Sequence, residues 1–392
     1  MKRLWKVVPP CLSDVQGVQA VLNATDGFGI VDDPSHYKPI GMSRGGHGGR
    51  GGRFGGGRGG AMGQRITDSA IREADVITGT SKKVLAAFDD LRAESNPAFV
   101  LLCHAPSSAM IGSDLAADAD EIAARGTPAA YVEADGSRDW VCGAGAAMAA
   151  MGRLLLRPAE TIPGTVNLLG CTQIDWTAEA VASVEAWLES LGWRVLTRWG
   201  APDRAENLAL AAAAEVNLVV GAAGLPLAKY MESEVGVPYV AGAPLGETRC
   251  AALAAALRAH DKLPAAAGTE VGARVLVLGE QLFADALREA LEARGGDAVR
   301  VLSFYETDRA LLRPGDAKLA GEDELRAQLA APGLELLLAD PDCFPLAPAS
   351  LRRIALPNPG SMSVVENFPA LDLVGGRLDR WLDEALKEGI EK

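Results

Sequence analysis

The sequence lacks any long apolar run. Its longest candidate, 141–151, is built mainly of Ala and Gly, and it falls short of the roughly 18–20 residues that a membrane-spanning helix needs. The N-terminal stretch has a basic tip, but Lys6 and two prolines interrupt its apolar part, which is not the pattern of a secretory signal. We therefore expect a soluble, cytoplasmic protein without a membrane partner.

The sequence also lacks the common short motifs that bind zinc or calcium. No CxxC pair, HExxH pair or EF-hand loop occurs in the 392 residues, so the usual zinc-protease and calcium-binding interpretations have no support. The chain has six cysteines. In a long cytoplasmic chain these are better explained as metal ligands, catalytic thiols or small core residues than as a disulfide framework.

Positive charge is scarce overall and concentrated in one tract. The net charge is −13, which argues against a general nucleic-acid binder. Residues 41–63 hold 13 glycines and four arginines, and their three Arg-Gly-Gly triplets resemble an RNA-binding tract. Phe54 is its one aromatic residue, and the tract interrupts a folded region. We therefore expect a mobile loop without direct chemistry rather than an RNA-binding segment.

Beyond this tract, strand and helix patterns alternate, which is typical of parallel sheets covered by helices. The sequence predicts an α/β protein with three tandem Rossmann-like subdomains, each a doubly wound parallel sheet. The expected boundaries are 1–150, 151–265 and 266–392. Within the second subdomain, one helix is predicted over 203–215, followed by a strand at 216–220.

Doubly wound sheets bind ligands outside the carboxyl ends of their strands. The loops where we expect chemistry follow Cys103, Leu169, Val220, Leu278 and Ala339. The loop after Leu278 lacks the GxGxxG pattern, and the chain contains no GxxxxGK[ST] loop. A dinucleotide fingerprint and an ATP-binding loop are therefore not expected.

Two cysteines occupy positions suited to metal binding. Cys11 follows two prolines and precedes a helix-start pattern, where the helix dipole would stabilise a thiolate. Cys103 ends a predicted buried strand, so it would lie at a sheet edge. Each could also be a small core residue. Cys171 also follows a strand, with a core role nearly as well supported. The three cysteines interpreted as structural or incidental are Cys142, Cys250 and Cys343.

Two of the four histidines lie close to these cysteines in the sequence. His36 and His104 are candidates for proton transfer or for metal ligation, although a histidine satisfied at the surface is more common. His47 falls in the glycine-rich tract, and His260 falls at the end of a predicted helix.

The order of the motifs resembles the nitrogenase component 1 family, which includes nitrogenase subunits, protochlorophyllide reductase catalytic subunits, the nickel-sirohydrochlorin reductive cyclase subunit and cofactor-assembly scaffolds. The matching segments are Pro10-Cys11 with Gly17, Ser35 to Gly41, Ala74 to Lys83, Cys103 with Ile111 to Asp114, Val166 to Gly170, Leu225-Pro226, Gly236 to Tyr239, and the region from Val275 onward.

The resemblance implies an iron–sulfur cluster that bridges two subunits, with Cys11 and Cys103 at the matched ligand positions. A third family cysteine falls on Gly41 in this chain. Two thiolates per chain cannot complete the four-cysteine set of a [4Fe–4S] cluster, but a two-fold dimer would supply four. Other expected ligand sources are Asp32, Asp33, His36 or a different partner subunit.

The resemblance also implies a function. We expect the catalytic component of an ATP-dependent reductase, working as a homodimer or as a heterodimer with a paralogous subunit. A separate iron-protein-like ATPase would hydrolyse ATP and pass electrons through the cluster to an unsaturated or tetrapyrrole-like small molecule, with His36 or His104 as proton donor. The alternatives are a non-catalytic scaffold for a metallocluster or metal tetrapyrrole, and a relative that has lost its cluster.

Overall fold

The fold is built from three separate parallel β-sheets. The computed structural model describes residues 6–9, 11–34, 65–262, 272–295, 298–356 and 371–388. His36, Gly41 and the glycine-rich tract lie outside the described residues. Among those described, no helix combines the length and the apolar composition that crossing a bilayer requires.

Thirteen strands and thirteen α-helices are assigned within the described residues. The strands are β1 (Phe28–Asp32), β2 (Ile66–Asp68), β3 (Val100–His104), β4 (Ala129–Tyr131), β5 (Ile162–Leu169), β6 (Arg194–Trp199), β7 (Ala214–Val219), β8 (Tyr239–Ala241), β9 (Val275–Leu278), β10 (Val299–Ser303), β11 (Ala317–Lys318), β12 (Leu336–Ala339) and β13 (Arg352–Ala355). The helices are α1 (Asp14–Leu22), α2 (Glu73–Thr78), α3 (Ser81–Glu94), α4 (Pro106–Ile111), α5 (Leu115–Ala124), α6 (Trp140–Leu155), α7 (Ala178–Ser190), α8 (Ala205–Leu208), α9 (Leu225–Tyr230), α10 (Glu247–Ala259), α11 (Gln281–Glu292), α12 (Glu322–Leu329) and α13 (Arg377–Glu388).

The strand orders are those of doubly wound sheets. They run β2-β1-β3-β4, β6-β5-β7-β8 and β11-β10-β9-β12-β13, and every pair is parallel. The predicted class of three tandem Rossmann-like sheets is confirmed. The order in which successive strands are added across each sheet reverses between β1 and β3, between β5 and β7, and between β9 and β12. Ligand crevices are expected at these points. Each sheet with its covering helices is called the first, second or third unit below.

One predicted helix of the second unit is wrong in extent. The stretch expected as a helix over 203–215 divides into α8, a 3₁₀ turn at Ala209–Ala213 and the start of β7 at Ala214. Alanine favours a helix, but β7 has to pair with β5 and carries the buried Asn217 beside Asn167. Sheet pairing therefore outweighs the local propensity.

Helix α6 is the central packing element. It is buried along most of its length, as expected for a helix that is apolar on all sides. Two glycines let its first turns cross those of α1 closely: a Cβ at Gly17 would lie 2.1 Å from the Trp140 carbonyl oxygen, and one at Gly143 would lie 1.8 Å from the Asp14 carbonyl oxygen. The N-terminal ends of the two helices are therefore fixed side by side.

Candidate functional site

The N-terminal ends of α1 and α6 form the floor of the first candidate site. Ser13 and Asp139, the residues directly before the two helices, form an isolated β-bridge. The Asp14 backbone N–H donates to the Arg138 carbonyl oxygen at 2.9 Å. The positive ends of both helices point to this place, where the Asp14 and Asp139 carboxylates accept hydrogen bonds from backbone N–H groups of the first turns.

Cys11 lies at the junction of this floor with the third unit. It is half-buried and packs against the apolar cluster around α1 and α6 as well as the cluster of the third sheet. Burial and the nearby Asp139 carboxylate raise the pKa of the Cys11 thiol to about 12. Cys343, in the turn after β12, is its neighbour there, since an ionised Cys11 contributes to raising the pKa of Cys343.

Cys103 lies in β3, near Asp14, the first residue of α1. Its side chain is 1% exposed and belongs to the apolar cluster that α1 and α6 cover. Burial, and to a lesser extent the Asp14 carboxylate, raise the pKa of the Cys103 thiol to about 12. Cys11 therefore packs between the first and third units, whereas Cys103 lies inside the core of the first unit.

His104 follows Cys103 and therefore points to the opposite face of β3. Its Nδ1 lies 3.2 Å from the Ser108 Oγ, and its ring contacts the edge of Tyr131 with 5.5 Å between centroids. Burial lowers the pKa of His104, although the Asp32 and Asp135 carboxylates oppose that change. His104 is therefore separated from the cysteine junction by its own strand.

Beside Cys11, three possible metal ligands converge. Within the described residues, ligand atoms of Asp139, Cys142 and Glu306 all lie within 4.8 Å of one another. The Cys142 Sγ is 3.7 Å from Asp139 Oδ2 and 3.5 Å from Glu306 Oε2. The Lys318 ammonium donates to the same two oxygens, at 3.2 Å to Asp139 and 2.6 Å to Glu306. We call these four residues the Cys142 cluster.

The backbone orients the Cys142 cluster. Asp139 caps α6: its Oδ1 accepts from the backbone N–H groups of Val141 and Cys142, and also from that of Glu306 at 3.1 Å. This leaves Oδ2 facing Cys142 and Lys318. Burial, followed by the Asp139 and Glu306 carboxylates, raises the pKa of the Cys142 thiol to about 12. Partial burial would raise the pKa of Glu306, but its hydrogen bond and ion pair with Lys318 lower it overall.

A second candidate site lies where the second and third units meet. It combines the reversal points of both sheets, because Asp175 follows β5, Gly221 follows β7 and Glu280 follows β9. The Glu280 carboxylate accepts from the Ala222 N–H at 2.8 Å and from the Phe283 N–H at 2.9 Å. A Cβ at Gly221 would lie 3.2 Å from Asp175 Oδ2, so both carboxyl groups face the same turn.

The carboxyl groups of this second site are strongly desolvated. Burial, followed by the Glu280 charge, raises the pKa of Asp175 well above its usual range, and burial raises the pKa of Glu280. Asp175 nevertheless keeps part of its side chain accessible, as expected for a group that lines a narrow crevice. Thr172 donates to Asp175 Oδ1 at 2.6 Å. Both shifts favour the protonated forms of these carboxyl groups.

Sequence reasoning found part of these sites. The loops predicted to carry chemistry after Leu169, Val220 and Leu278 do meet at the second site. The sequence alone gives Cys142 a structural or incidental role, and the structure places it in the first turn of α6 beside two carboxylates. The available signal was Asp139, a helix-capping residue three positions before a cysteine. Its distant partners Glu306 and Lys318 carry no such local signal.

Three Rossmann-like units with thiols and carboxylates gathered where the units meet define a class of α/β proteins whose ligands bind between subdomains. Within that class, the chain belongs to the nitrogenase component 1 type oxidoreductase family, whose sequence profile matches residues 53–267. The family resemblance is thereby confirmed.

Two curated proteins are similar over part of the chain. The nitrogenase iron-molybdenum cofactor biosynthesis protein NifE of Nostoc sp. is 31% identical over 177 residues, which is 43% of this chain and 36% of that protein. The protein of the same name from Methanosarcina barkeri is 27% identical over 243 residues, which is 57% of this chain and 50% of that protein. The chain therefore spans half or less of the length of these relatives.

Solved structures share the fold over more of the chain. A structure titled "Nitrogenase Cp1 at pH 6.5" matches with a TM-score of 0.69 and 12% identity, covering 100% of this chain and 94% of that chain. A second, titled "Nitrogenase Cp1 at pH 5", matches with a TM-score of 0.56 and 17% identity, covering 85% and 73%. At these identities the likeness establishes the fold alone.

Proposed function

We propose that this protein is the catalytic component of a nitrogenase-like, ATP-dependent reductase that holds an iron–sulfur cluster through Cys11 and Cys103. The observation that supports it is that Cys11 precedes α1 in the chain and that Cys103 is close enough to Asp14, the first residue of α1, to feel its charge, in a member of the nitrogenase component 1 type family. The proposal places the protein in the cytoplasm, as a homodimer or as a heterodimer with a paralogous subunit.

The donor atoms of the chain suit such a cluster chemically. Thiolates are the ligands that iron–sulfur clusters take. The raised pKa values mean that Cys11 and Cys103 carry protons in the free protein, so binding would release them. When bound, the cluster would supply one-electron transfer at low potential, as a [4Fe–4S] centre. Cys103 is 1% exposed, so sharing that centre between two subunits would require the chain to open around Cys103.

The chain's own residues would have three tasks. Cys11 and Cys103 would hold and orient the cluster, and the apolar cluster around Cys103 would exclude water from it. The junctions between units would bind an unsaturated or tetrapyrrole-like small molecule. His36 or His104 would transfer protons. ATP would be hydrolysed by a separate iron-protein-like ATPase.

A second function, a scaffold on which a metallocluster or metal tetrapyrrole is assembled, is favoured by one specific observation. Both curated relatives named above are cofactor biosynthesis proteins of nitrogenase. A scaffold would need the same sulfur donors and the same crevices between units, but it would release its cargo rather than turn over a substrate.

Metal analysis tests the feature that both functions share. Protein purified anaerobically should contain iron and acid-labile sulfide and show the broad visible absorption of an iron–sulfur centre. Cys11→Ala and Cys103→Ala should each remove these signals, while Cys250→Ala, a change at a buried thiol on α10, should not. Wild-type protein without iron and sulfide, or full cluster content in the Cys11 variant, would contradict the proposal.

A turnover experiment separates the two functions. The loaded protein is mixed with an iron-protein-like ATPase, ATP and a candidate tetrapyrrole. A reductase reoxidises its cluster with substrate present and consumes ATP over many cycles. A scaffold instead transfers its metal to an acceptor protein once per loading. Single-turnover metal transfer without sustained ATP consumption would favour the scaffold.

A further inference from the structure

We propose that Asp139, Cys142 and Glu306 form a binding site for a single divalent transition-metal ion, with Lys318 as the group that competes with the ion. The site uses none of the residues assigned to the iron–sulfur cluster above, and it stands or falls independently of that function. The ion expected is of the Zn²⁺, Fe²⁺ or Co²⁺ type, since one sulfur and two carboxylate oxygens are ligands of borderline softness.

The first argument is the spacing of the three donors. In a tetrahedral site with metal–sulfur bonds of about 2.3 Å and metal–oxygen bonds of about 2.0–2.1 Å, neighbouring sulfur and oxygen ligands lie about 3.5 Å apart. The Cys142 Sγ lies 3.5 Å from Glu306 Oε2 and 3.7 Å from Asp139 Oδ2. Both sulfur–oxygen distances therefore match those of a tetrahedral site.

The second argument is the number of acceptors. The thiol of Cys142 has one proton, and it faces two carboxylate oxygens at comparable distances, so one S–H group cannot satisfy both. Lys318 donates to the same two oxygens. A cation bound between Cys142, Asp139 and Glu306 would interact with all three donor atoms. In the metal-free protein, the Lys318 ammonium supplies a positive charge to the two carboxylates.

The third argument is charge. With its thiol ionised, the site carries three negative charges from Asp139, Glu306 and Cys142, and Lys318 offsets one of them. The remaining two match a divalent ion. Upon binding, the Cys142 thiol gives up its proton to solvent and the sulfur forms a bond to the metal, without any oxidation or reduction.

The surroundings give the ion access and hold its ligands. Glu306 and Lys318 have side chains that are 54% and 37% exposed, so an ion can enter from solvent. Asp139 is the anchored member, because its other carboxylate oxygen caps α6 and binds the Glu306 backbone N–H at 3.1 Å. Supported ligands of this kind bind metal more tightly than free side chains.

Titration with Co²⁺ alone tests the site, because a thiolate bound to Co²⁺ absorbs in the near ultraviolet. Protein treated with a chelator should bind one Co²⁺ per chain at the Cys142 cluster and show this near-ultraviolet absorption. Cys142→Ser should abolish it, and Glu306→Gln should weaken binding at least tenfold. Lys318→Met should tighten binding about tenfold, because a positive charge beside the ion is removed.

The matched control is Cys250→Ser. Cys250 is a buried thiol of α10 and lies outside the group of three donors, so this variant should keep the cobalt spectrum. Equal thermal melting of all variants without metal would show that folding is unaffected. The proposal is overturned if the thiolate absorption is missing, survives Cys142→Ser or disappears in Cys250→Ser, or if Lys318→Met weakens binding.

Discussion

The carboxylate of Glu280, in the third unit, accepts a hydrogen bond from the backbone N–H of Ala222, in the second unit, with 2.8 Å between Oε1 and N. Its other oxygen accepts from the Phe283 N–H and caps α11. One buried side chain therefore satisfies N–H groups at the starts of two helical segments and joins the strand ends of two sheets. This contact fixes the positions of the second and third units relative to each other around the second candidate site.

Replacing Glu280 should weaken this junction. In Glu280→Ala, the N–H groups of Ala222 and Phe283 lose their acceptor while they remain buried, which should lower the free energy of unfolding by about 2–4 kcal/mol. Urea unfolding measures the loss, and amide hydrogen exchange should accelerate at both N–H groups.

Glu280→Gln is the matched variant. The amide has one carbonyl oxygen where the carboxylate has two acceptors, so it can serve one N–H fully, and the loss should be smaller than in the alanine variant. Equal stability of wild type and Glu280→Ala would show that the contact contributes nothing to the junction.

Asp175 should make the stability of the protein depend on pH. Its pKa is raised in the folded state, first by burial and then by Glu280, so the folded protein binds the proton more tightly than the unfolded chain. This contribution is fully present below the ordinary Asp value of about 3.9, and it is lost as pH rises through the folded-state pKa. Asp175→Asn cannot ionise and keeps an oxygen for Thr172.

The stability difference between wild type and Asp175→Asn should therefore shift with pH. We expect the asparagine variant to gain stability relative to wild type as pH rises above the ordinary Asp value of about 3.9, as measured by urea unfolding at each pH. A constant difference for Asp175→Asn would mean that this carboxyl is already ionised at the lower pH.

The crossing of α1 and α6 predicts an intolerance of larger residues at Gly143. An added Cβ would lie 1.8 Å from the Asp14 carbonyl oxygen, which is backbone and cannot move aside. Gly143→Ala should therefore cost about 3 kcal/mol and displace the neighbouring Cys142. Gly279→Ala is the control, because its Cβ would meet only the Ala284 Cβ at 3.9 Å. Thermal melting compares the two, and equal melting temperatures would contradict the argument.

The fold was largely predictable because its signals are local. Alternating strand and helix patterns and stop signals such as Gly192, which adopts φ +90° after α7, are readable in short windows. The exception is the stretch 203–215. Its alanine-rich composition favours a helix, but its last residues belong to β7 because they pair with β5. That partner strand lies too far away in the sequence for a short window to include it.

The candidate sites were predictable only in their strand-end positions. The rule that ligands bind at the carboxyl ends of parallel strands indicated the loops that carry Asp175 and Glu280, without indicating that these two residues face one turn. The Cys142 cluster joins residues of α6 to Glu306 and Lys318, more than 150 positions away. This grouping results from the packing of the units against one another, so no local spacing of residues in the sequence predicts it.

His104 should titrate below the ordinary histidine value of about 6.5. Burial lowers its pKa, so the folded protein binds a proton at this ring less well than the unfolded chain does. The stability that neutral His104 contributes is present above the ordinary value and is lost as pH falls from there through the folded-state pKa. The chemical shift of the His104 ring protons, followed by NMR against pH and assigned with His104→Gln, measures this pKa. A His104 ring that is neutral at pH 7 has no extra proton to donate. A titration midpoint below 6 would therefore favour His104 as a hydrogen-bonding residue beside Ser108. A titration midpoint above 7 would restore His104 as the proton donor.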